Sequence, residues 1–399
     1  MKLTETGSAY FRVFKNNVEI SKHNEKHKAI EAAINLELEN PKDDIRIHQI
    51  LELRVEHEVV TPPVPTPTPV LPIPEPDPVP PSPPLPTSPP TAIGFFSQTS
   101  VYYAGVQQFP KHSKSDAIIQ ELVRNSKLAW GGAVSCESFS NGLWEADSNT
   151  PVVTVRRIKN GQTISFQARI PLNFKPAAGE DAHGCIIDRV AGHSLEMWAM
   201  EKDAQGWTCR DRGIVKLGGD GILRDVNGDW NSATASHIPI CTRPITKKEL
   251  EDYAAGKIKS AGHMIGLALN EPAVYPGFKH PAQSNSDGNN NSPNAIVYGQ
   301  VLRFPANYTP PASHPVLLRC IADTCKYDGC VVMDVTGSGA AFYVQDPQQF
   351  GMDEVQMLKP YIGGYIQNPG GDEWIQFYKL FGDATNPSIF EWGKMEAVA

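Results

Sequence analysis

Residues 183–200 read HGCIIDRVAGHSLEMWAM. Two short runs of apolar and β-branched residues flank an Ala-Gly pair, which predicts a β-hairpin with strands at 183–188 and 194–200 and a turn at RVAGH. Side chains on a strand alternate between faces. His183, Cys185 and Ile187 therefore share one face of the first strand, and Ile186 and Asp188 the other. On the second strand Leu195, Met197 and Ala199 form an apolar face, and Ser194, Glu196, Trp198 and Met200 lie opposite. A carboxylate two residues from an indole on an open sheet suits a sugar, with the ring stacking on Trp198 and Glu196 taking its hydroxyls. His183, Glu196 and Trp198, with Trp207 and Trp230 further along, are the candidate ligand-binding residues. In the competing reading His183 and Glu196 are hydrogen-bonded across the hairpin and Trp198 is a core edge. If the chain is a hydrolase, Asp188 and Glu196 are the local pair, since glycosidases need two carboxylates flanking the scissile bond.

Outward from the hairpin the same grammar repeats. PVVTVRRI (151–158), TISFQARI (163–170), AIVYGQVLRF (295–304), CVVMDV (330–335) and AAFYVQD (340–346) read as strands separated by Gly, Asn and Pro turns. Three helices decorate them. SDAIIQELVRNS has Ser115 as an N-cap, TKKELEDYAAG has a capping box of Thr246 and Glu249, and PVLLRCIADTCKYDG ends at Gly329. Residues 93–399 are thus expected to form a mainly-β sandwich or jelly roll with a few peripheral helices.

Sixteen of the 35 prolines fall in residues 61–92. Proline fixes φ and removes a backbone donor, so this segment predicts an extended polyproline II spacer, on the order of 90 Å long. Residues 1–60 precede it. AYFRVFKNNVEIS reads as strand, Asn-Asn turn, strand. KHNEKHKAIEAAINLELEN carries Ala29, Ile30, Ala33, Ile34 and Leu38 at helical spacing, and DIRIHQILELRVE alternates as a third strand. This predicts a small α+β module of ββαβ order. At about fifty residues it is marginal alone and more stable docked on a larger assembly.

The 399 residues suffice for two or three domains, and a net charge of −8 argues against nucleic-acid binding. No apolar run reaches the roughly 20 residues of a membrane span, so membrane insertion is not expected, and the first residues lack the apolar core of a signal peptide. The chain is therefore expected to be made in a cytoplasm and to stay there unless something else carries it out. The seven cysteines form no CxxC pair, and buried free thiols are the expected state. DVNGDWNS (225–232) begins like a calcium loop, but Ser236 stands where its glutamate belongs. GGDG (218–221) lacks the context of a phosphate loop. No metal site and no cofactor are expected.

Between about 108 and 346, the blocks HSKSDAIIQEL, HGCIIDRV, LEMWAM, WNSATASHIPI, ITKKELEDYAAGKIKSAGHMIGLALN and LLRCIADTCKYDGCVVMDVTGSGAAFYVQDP resemble a family of bacterial, often actinomycete, secreted proteins. That resemblance implies a folded β-rich domain in an extracellular setting and supplies no catalytic residues. YFRVFKNNVEISKHNEKHKAIEAAIN resembles small modules that begin bacteriophage virion proteins. It implies a chain carried outside the cell on a particle, with residues 1–60 bound to capsid or tail proteins. The resulting expectation is a virion fibre or capsid decoration protein that holds 93–399 out toward a bacterial surface glycan. A polysaccharide depolymerase and a purely structural cement protein are the alternatives, so enzymatic activity is left open and leans toward none. The segment 351–399 closes the sandwich or forms a subunit interface, which makes a homo-oligomer one expected assembly.

Overall fold

The structure is a computed structural model and describes residues 2–15, 18–23, 45–56, 94–128, 132–223, 232–285, 287–337, 339–362 and 390–399. The chain divides into two compact units, Met1–Pro84 and Leu85–Ala399, and the division falls within the proline-rich segment.

In the first unit β1 (Lys2–Lys15) lies between β2 (Val18–His23) and β3 (Ile45–Glu56), antiparallel to both. Of the helix expected at 22–40, Lys22 and His23 end β2, and the rest, with the Asn16-Asn17 turn and the spacer, lies outside the described residues.

The second unit is β-rich, as its alternating runs predict. Its strands are β4 (Gly132–Ser135), β5 (Trp144–Ala146), β6 (Val152–Lys159), β7 (Gln162–Arg169), β8 (Gly184–Asp188), β9 (His193–Trp198), β10 (Glu201–Asp203), β11 (Gly206–Cys209) and β12 (Asp211–Lys216). There follow β13 (Ile265–Asn270), β14 (Val274–Phe278), β15 (Ile296–Tyr298), β16 (Val301–Arg303), β17 (Cys330–Thr336), β18 (Ala340–Tyr343) and β19 (Glu396–Ala397). Four α-helices are described: α1 (Ser115–Leu128), α2 (Lys247–Ala254), α3 (Val316–Tyr327) and α4 (Glu354–Ile362).

The strands form two four-stranded sheets, ordered β10-β11-β6-β7 and β12-β9-β8-β5, a six-stranded sheet ordered β19-β16-β17-β13-β18-β4, and the pair β14-β15. All are mixed or parallel. The pairs β11–β6, β5–β8, β13–β17, β18–β4 and β14–β15 run parallel, which lets helices and long connections bridge strands that a simple meander would join by turns. The two four-stranded sheets share one apolar cluster, with Trp144, Val155, Ala168, Ile186, Leu195, Met197 and Cys209 contributed from both sides.

The larger core lies against the six-stranded sheet. Ile265, Leu267, Leu269, Val331 and Phe342 meet Ile118 and Leu122 of α1, Leu250 of α2, Leu317, Leu318 and Ile321 of α3, and Met357 and Leu358 of α4. Burying each such Leu or Ile stabilises the fold by about 1.5–3 kcal/mol. The capping box of α2 forms as predicted: Thr246 Oγ1 accepts from Glu249 N, and Glu249 Oε2 accepts from Thr246 N. The expected cap on α1 does not form, because Ser115 Oγ instead accepts from Ala397 N at 2.9 Å and holds the C-terminal strand. Helix α3 ends where Gly329 takes φ +91°.

The opening hairpin is β8–β9, paired Cys185↔Glu196, Ile186↔Leu195 and Asp188↔His193. Its alternation is as predicted through Trp198, but Ala199 takes φ +51° and ends the strand, so Met200 packs with Leu195 and Met197 and not on the Glu196 face, and that polar face is not open. The sheet that contains it is a middle layer. Gly184, Ile186, Leu195 and Met197 face the other four-stranded sheet, while Cys185, Ile187 and Trp198 join the larger core. All seven cysteines are buried free thiols, as expected. Among the described residues no helix is long and apolar enough to cross a membrane.

Candidate functional site

Glu196 lies on the core-facing side of β9 and is fully buried. Its carboxylate accepts from the backbone N–H of Ile240 at 2.8 Å and of Cys241 at 3.0 Å. Burial pushes its pKa up to about 7, against the lowering effect of those two donors. It tethers the short turn Ile240–Thr242 to the hairpin, so the expectation that it faces a sugar on an open sheet is corrected. Asp188 lies on the opposite face of the sheet. It caps the hairpin turn, accepting from Val190 N and Ala191 N, and pairs with Arg169 at 3.3 Å. Asp188 and Glu196 therefore cannot flank one bond, and the hydrolase pair drawn from the sequence is withdrawn.

The other candidates separate as well. Trp207 is half-buried on β11 against Phe174, with their ring centroids 5.3 Å apart. Trp230 lies outside the described residues, as does most of the 225–232 loop. His183 is buried beneath the hairpin and does not bond Glu196; it meets Ala233 O through Nε2 at 2.9 Å.

His183 leads to the cluster that the sequence did not single out. Its Nδ1 lies 3.4 Å from Arg243 Nη2, so the neutral ring donates from Nε2 and accepts at Nδ1. Burial first, and the Arg243 charge second, hold the His183 pKa down at about 3. Arg243 is 1% exposed. Its Nε donates to Asn141 Oδ1 at 3.0 Å, and its guanidinium lies over the Tyr343 ring, 4.1 Å from its centre. The backbone explains its placement. Arg243 follows the turn that Glu196 holds, and its carbonyl accepts from Gly266 N at 3.0 Å on β13. Its side chain then runs across Gly266, where an added Cβ would meet Arg243 Cγ at 2.7 Å.

Gly266, Ala268, Ala341 and Tyr343 occupy the sheet face opposite the larger core, and the last three form a small cluster of their own. A register shift after Leu267 brings Asp334 of β17 opposite Ala268, onto this face. Asp334 keeps part of its surface open to solvent, yet protein encloses it on most sides. Burial raises its pKa to about 7. Arg243 opposes that rise, and the charges of Asp181 and Asp287 add to it. Asp181 is half-buried, and its Oδ1 accepts from Trp198 Nε1 at 3.0 Å, so Trp198 orients a carboxylate in place of stacking on a ligand. The Tyr298 hydroxyl is fully buried without a hydrogen-bond partner, and burial first, with the Asp334 and Asp287 charges adding, raises its pKa. An unpartnered buried hydroxyl costs about 1–3 kcal/mol.

Ala268, Ala341, Tyr343, Arg243 and Tyr298 are all buried, while Asp181, Asp287 and Asp334 are half-buried carboxyls that can offer acceptors to a polyhydroxylated molecule. The sequence held two signals for this cluster. Asp334 interrupts the apolar strand CVVMDV, and Arg243 stands in the apolar stretch IPICTRPI. Among the described residues no group of three or more His, Cys, Asp or Glu is arranged to hold a metal ion. A separate groove of about 570 Å³ lies between α1 and the C-terminal segment, lined by Ile119, Val123, Arg124 and Met395, and lacks such a cluster. Comparison with protein families, with curated proteins and with solved structures finds no match for this chain.

Proposed function

We propose that the chain is a virion fibre or capsid decoration protein whose sandwich-type distal domain binds a bacterial surface glycan at the Asp181–Asp334–Tyr343 patch. The observation that supports the binding site is Asp181, a half-buried carboxylate whose Oδ1 accepts from the Trp198 indole N–H at 3.0 Å and whose charge acts on the half-buried Asp334 carboxyl. Carboxylates match the hydroxyl donors of a sugar. The display role draws on the order of parts: a small three-stranded unit, sixteen prolines within 32 residues, then the β-rich unit. Many tethered copies on a particle would convert weak sites into firm attachment.

The test is retention of the purified full chain on an array of bacterial capsular polysaccharides and lipopolysaccharide O-chains. Retention on at least one polymer, weakened by Asp181→Ala, is the expected result. Incorporation into purified particles without retention on any polymer would favour the cement role.

A further inference from the structure

We infer that the second unit pairs with a second copy of itself through the open edge of β7, joining two sheets into one continuous antiparallel sheet about a twofold axis. β7 closes the sheet β10-β11-β6-β7 on one side, and its eight residues make it the longest edge strand of that unit among the described residues. An edge strand presents a row of unpaired backbone donors and acceptors, which proteins blunt by shortness, charge, proline or a bulge. The opposite edge of this sheet is blunted in that way: β10 is three exposed charged residues, Glu201, Lys202 and Asp203. β7 has none of these devices. It pairs with β6 without a register shift and contains no proline, and its one charge, Arg169, stands at its end, 3.3 Å from Asp188. Residues 162–165 and Gln167 are exposed, and apolar exposure gathers here: Val152 and Ile158 of β6, Ile164 of β7, and Leu172 just beyond it at 94%.

Backbone geometry selects the register. Asn160 and Gly161, at φ +52° and +75°, turn β6 into β7 with Lys159 opposite Gln162, and Ile170 N donates to Pro151 O at 3.1 Å. The even-numbered residues of β7 therefore bond β6, and Thr163, Ser165, Gln167 and Arg169 aim their N–H and C=O groups outward. Ile164, Phe166 and Ala168 share the inner face, the last two packed in the smaller core. A twofold axis through Phe166 sets Ser165 opposite Gln167, Thr163 opposite Arg169 and Ile164 opposite Ala168 of the second copy. Outward backbone groups then meet outward ones, apolar side chains meet apolar ones, and no like charges face each other. Such an isologous contact is the common way for identical chains to pair. The chain's own proline-rich segment is a poor occupant, because proline brings no backbone donor. A strand edge of this length is smaller than a standard interface of about 1,600 Å², so a weak dimer with a micromolar Kd is expected.

The test is sedimentation velocity of the full chain from nanomolar to high micromolar concentration. A reversible dimer should form. Ser165→Pro removes an outward N–H that β6 does not use, so it should weaken association roughly tenfold or more and leave the melting temperature near that of the parent. Thr163→Glu sets a carboxylate opposite Arg169 of the second copy and should tighten the dimer, while Thr163→Lys should loosen it, each by roughly a few-fold. These two variants keep the inference testable if the proline variant fails to fold. A chain that stays monomeric at every concentration overturns the inference and leaves the edge to a strand of another protein. A dimer that Ser165→Pro leaves intact, or that both Thr163 variants move in the same direction, also overturns it.

Discussion

Arg243 carries a full positive charge at 1% exposure, and what surrounds it accounts for the site. Desolvating a guanidinium costs several kcal/mol unless its donors are met. Asn141 and His183 take hydrogen bonds from it, the Tyr343 ring lies beneath it, and its charge in turn lowers the raised pKa values of Glu196 and Asp334. Gly266 makes the approach possible, since a Cβ there would collide with Arg243 and with Met333 Sδ. Gly266→Ala should therefore destabilise the fold by about 1–3 kcal/mol in chemical denaturation, the usual cost of overpacking a core. A variant as stable as the parent would show that Arg243 is not held there. Asp346 offers a titration test. Fully buried, it caps the turn Pro347–Phe350 by accepting from Gln348 N at 2.9 Å, and burial raises its pKa to about 7. Its carboxyl keeps a proton to about pH 7 when folded and only to about pH 4 when unfolded. Between those values folding takes up a proton, so the stabilisation present at acid pH is lost as pH rises, by up to about 1.4 kcal/mol per unit. Asp346→Asn keeps a good cap and removes the titration. The stability difference between parent and variant should drift in the variant's favour from pH 4 to pH 7, and a constant difference would contradict the assignment. His183 has the opposite sign. Held neutral to about pH 3, it adds stability that is lost as pH falls below about 6.5, which is why single variants are needed to separate the two.

At the scale of elements, local chemistry made much of the fold readable. The β6 and β7 strands, the β8–β9 hairpin and helices α2 and α3 were legible because alternation, a capping box and a terminal glycine act over a few residues. Thr246→Ala removes the acceptor that caps α2 and should cost about 0.5–2 kcal/mol, measurable as a lowered melting temperature. No change in melting temperature would mean that Glu249, which also meets buried His263 at 3.3 Å, secures the helix start by itself. Ser115 was misread as a cap because its true partner, Ala397, is 282 residues away. The hairpin shows the same limit. Alternation gave the right residues on each face as far as Trp198, where the positive φ of Ala199 ends it, but whether a face meets water depends on a second sheet or core supplied from elsewhere in the chain. A face bearing Ser194, Glu196 and Trp198 looks solvated in sequence, and it is buried because the Ile240–Thr242 turn satisfies the carboxylate.

At the scale of the whole molecule, the candidate site was the least legible part. Asp181 with His183, Arg243, Asp334 and Tyr343 come from four separate places in the chain, and only the β13–β17 register shift puts Asp334 on the right face. The β-rich class could be read from pattern, while the parallel pairings that assemble the six-stranded sheet could not. The thiols could, and they give a global test. Burial raises the pKa of Cys136, Cys185, Cys241 and Cys325, so a thiol reagent should modify none of the seven cysteines until the chain unfolds. Modification of the native chain at a rate matching a free thiol would contradict the packing described. The most direct test of the central claim compares the equilibrium affinity of the full chain for a retained surface polysaccharide with that of two variants, Asp181→Ala in the patch and Trp207→Ala on β11. A charged hydrogen-bonding group contributes about 1.5–3 kcal/mol, so affinity should fall roughly tenfold or more for Asp181→Ala and stay unchanged for Trp207→Ala. Loss of affinity with Trp207→Ala and none with Asp181→Ala would contradict the account and return the binding surface to the outer sheet.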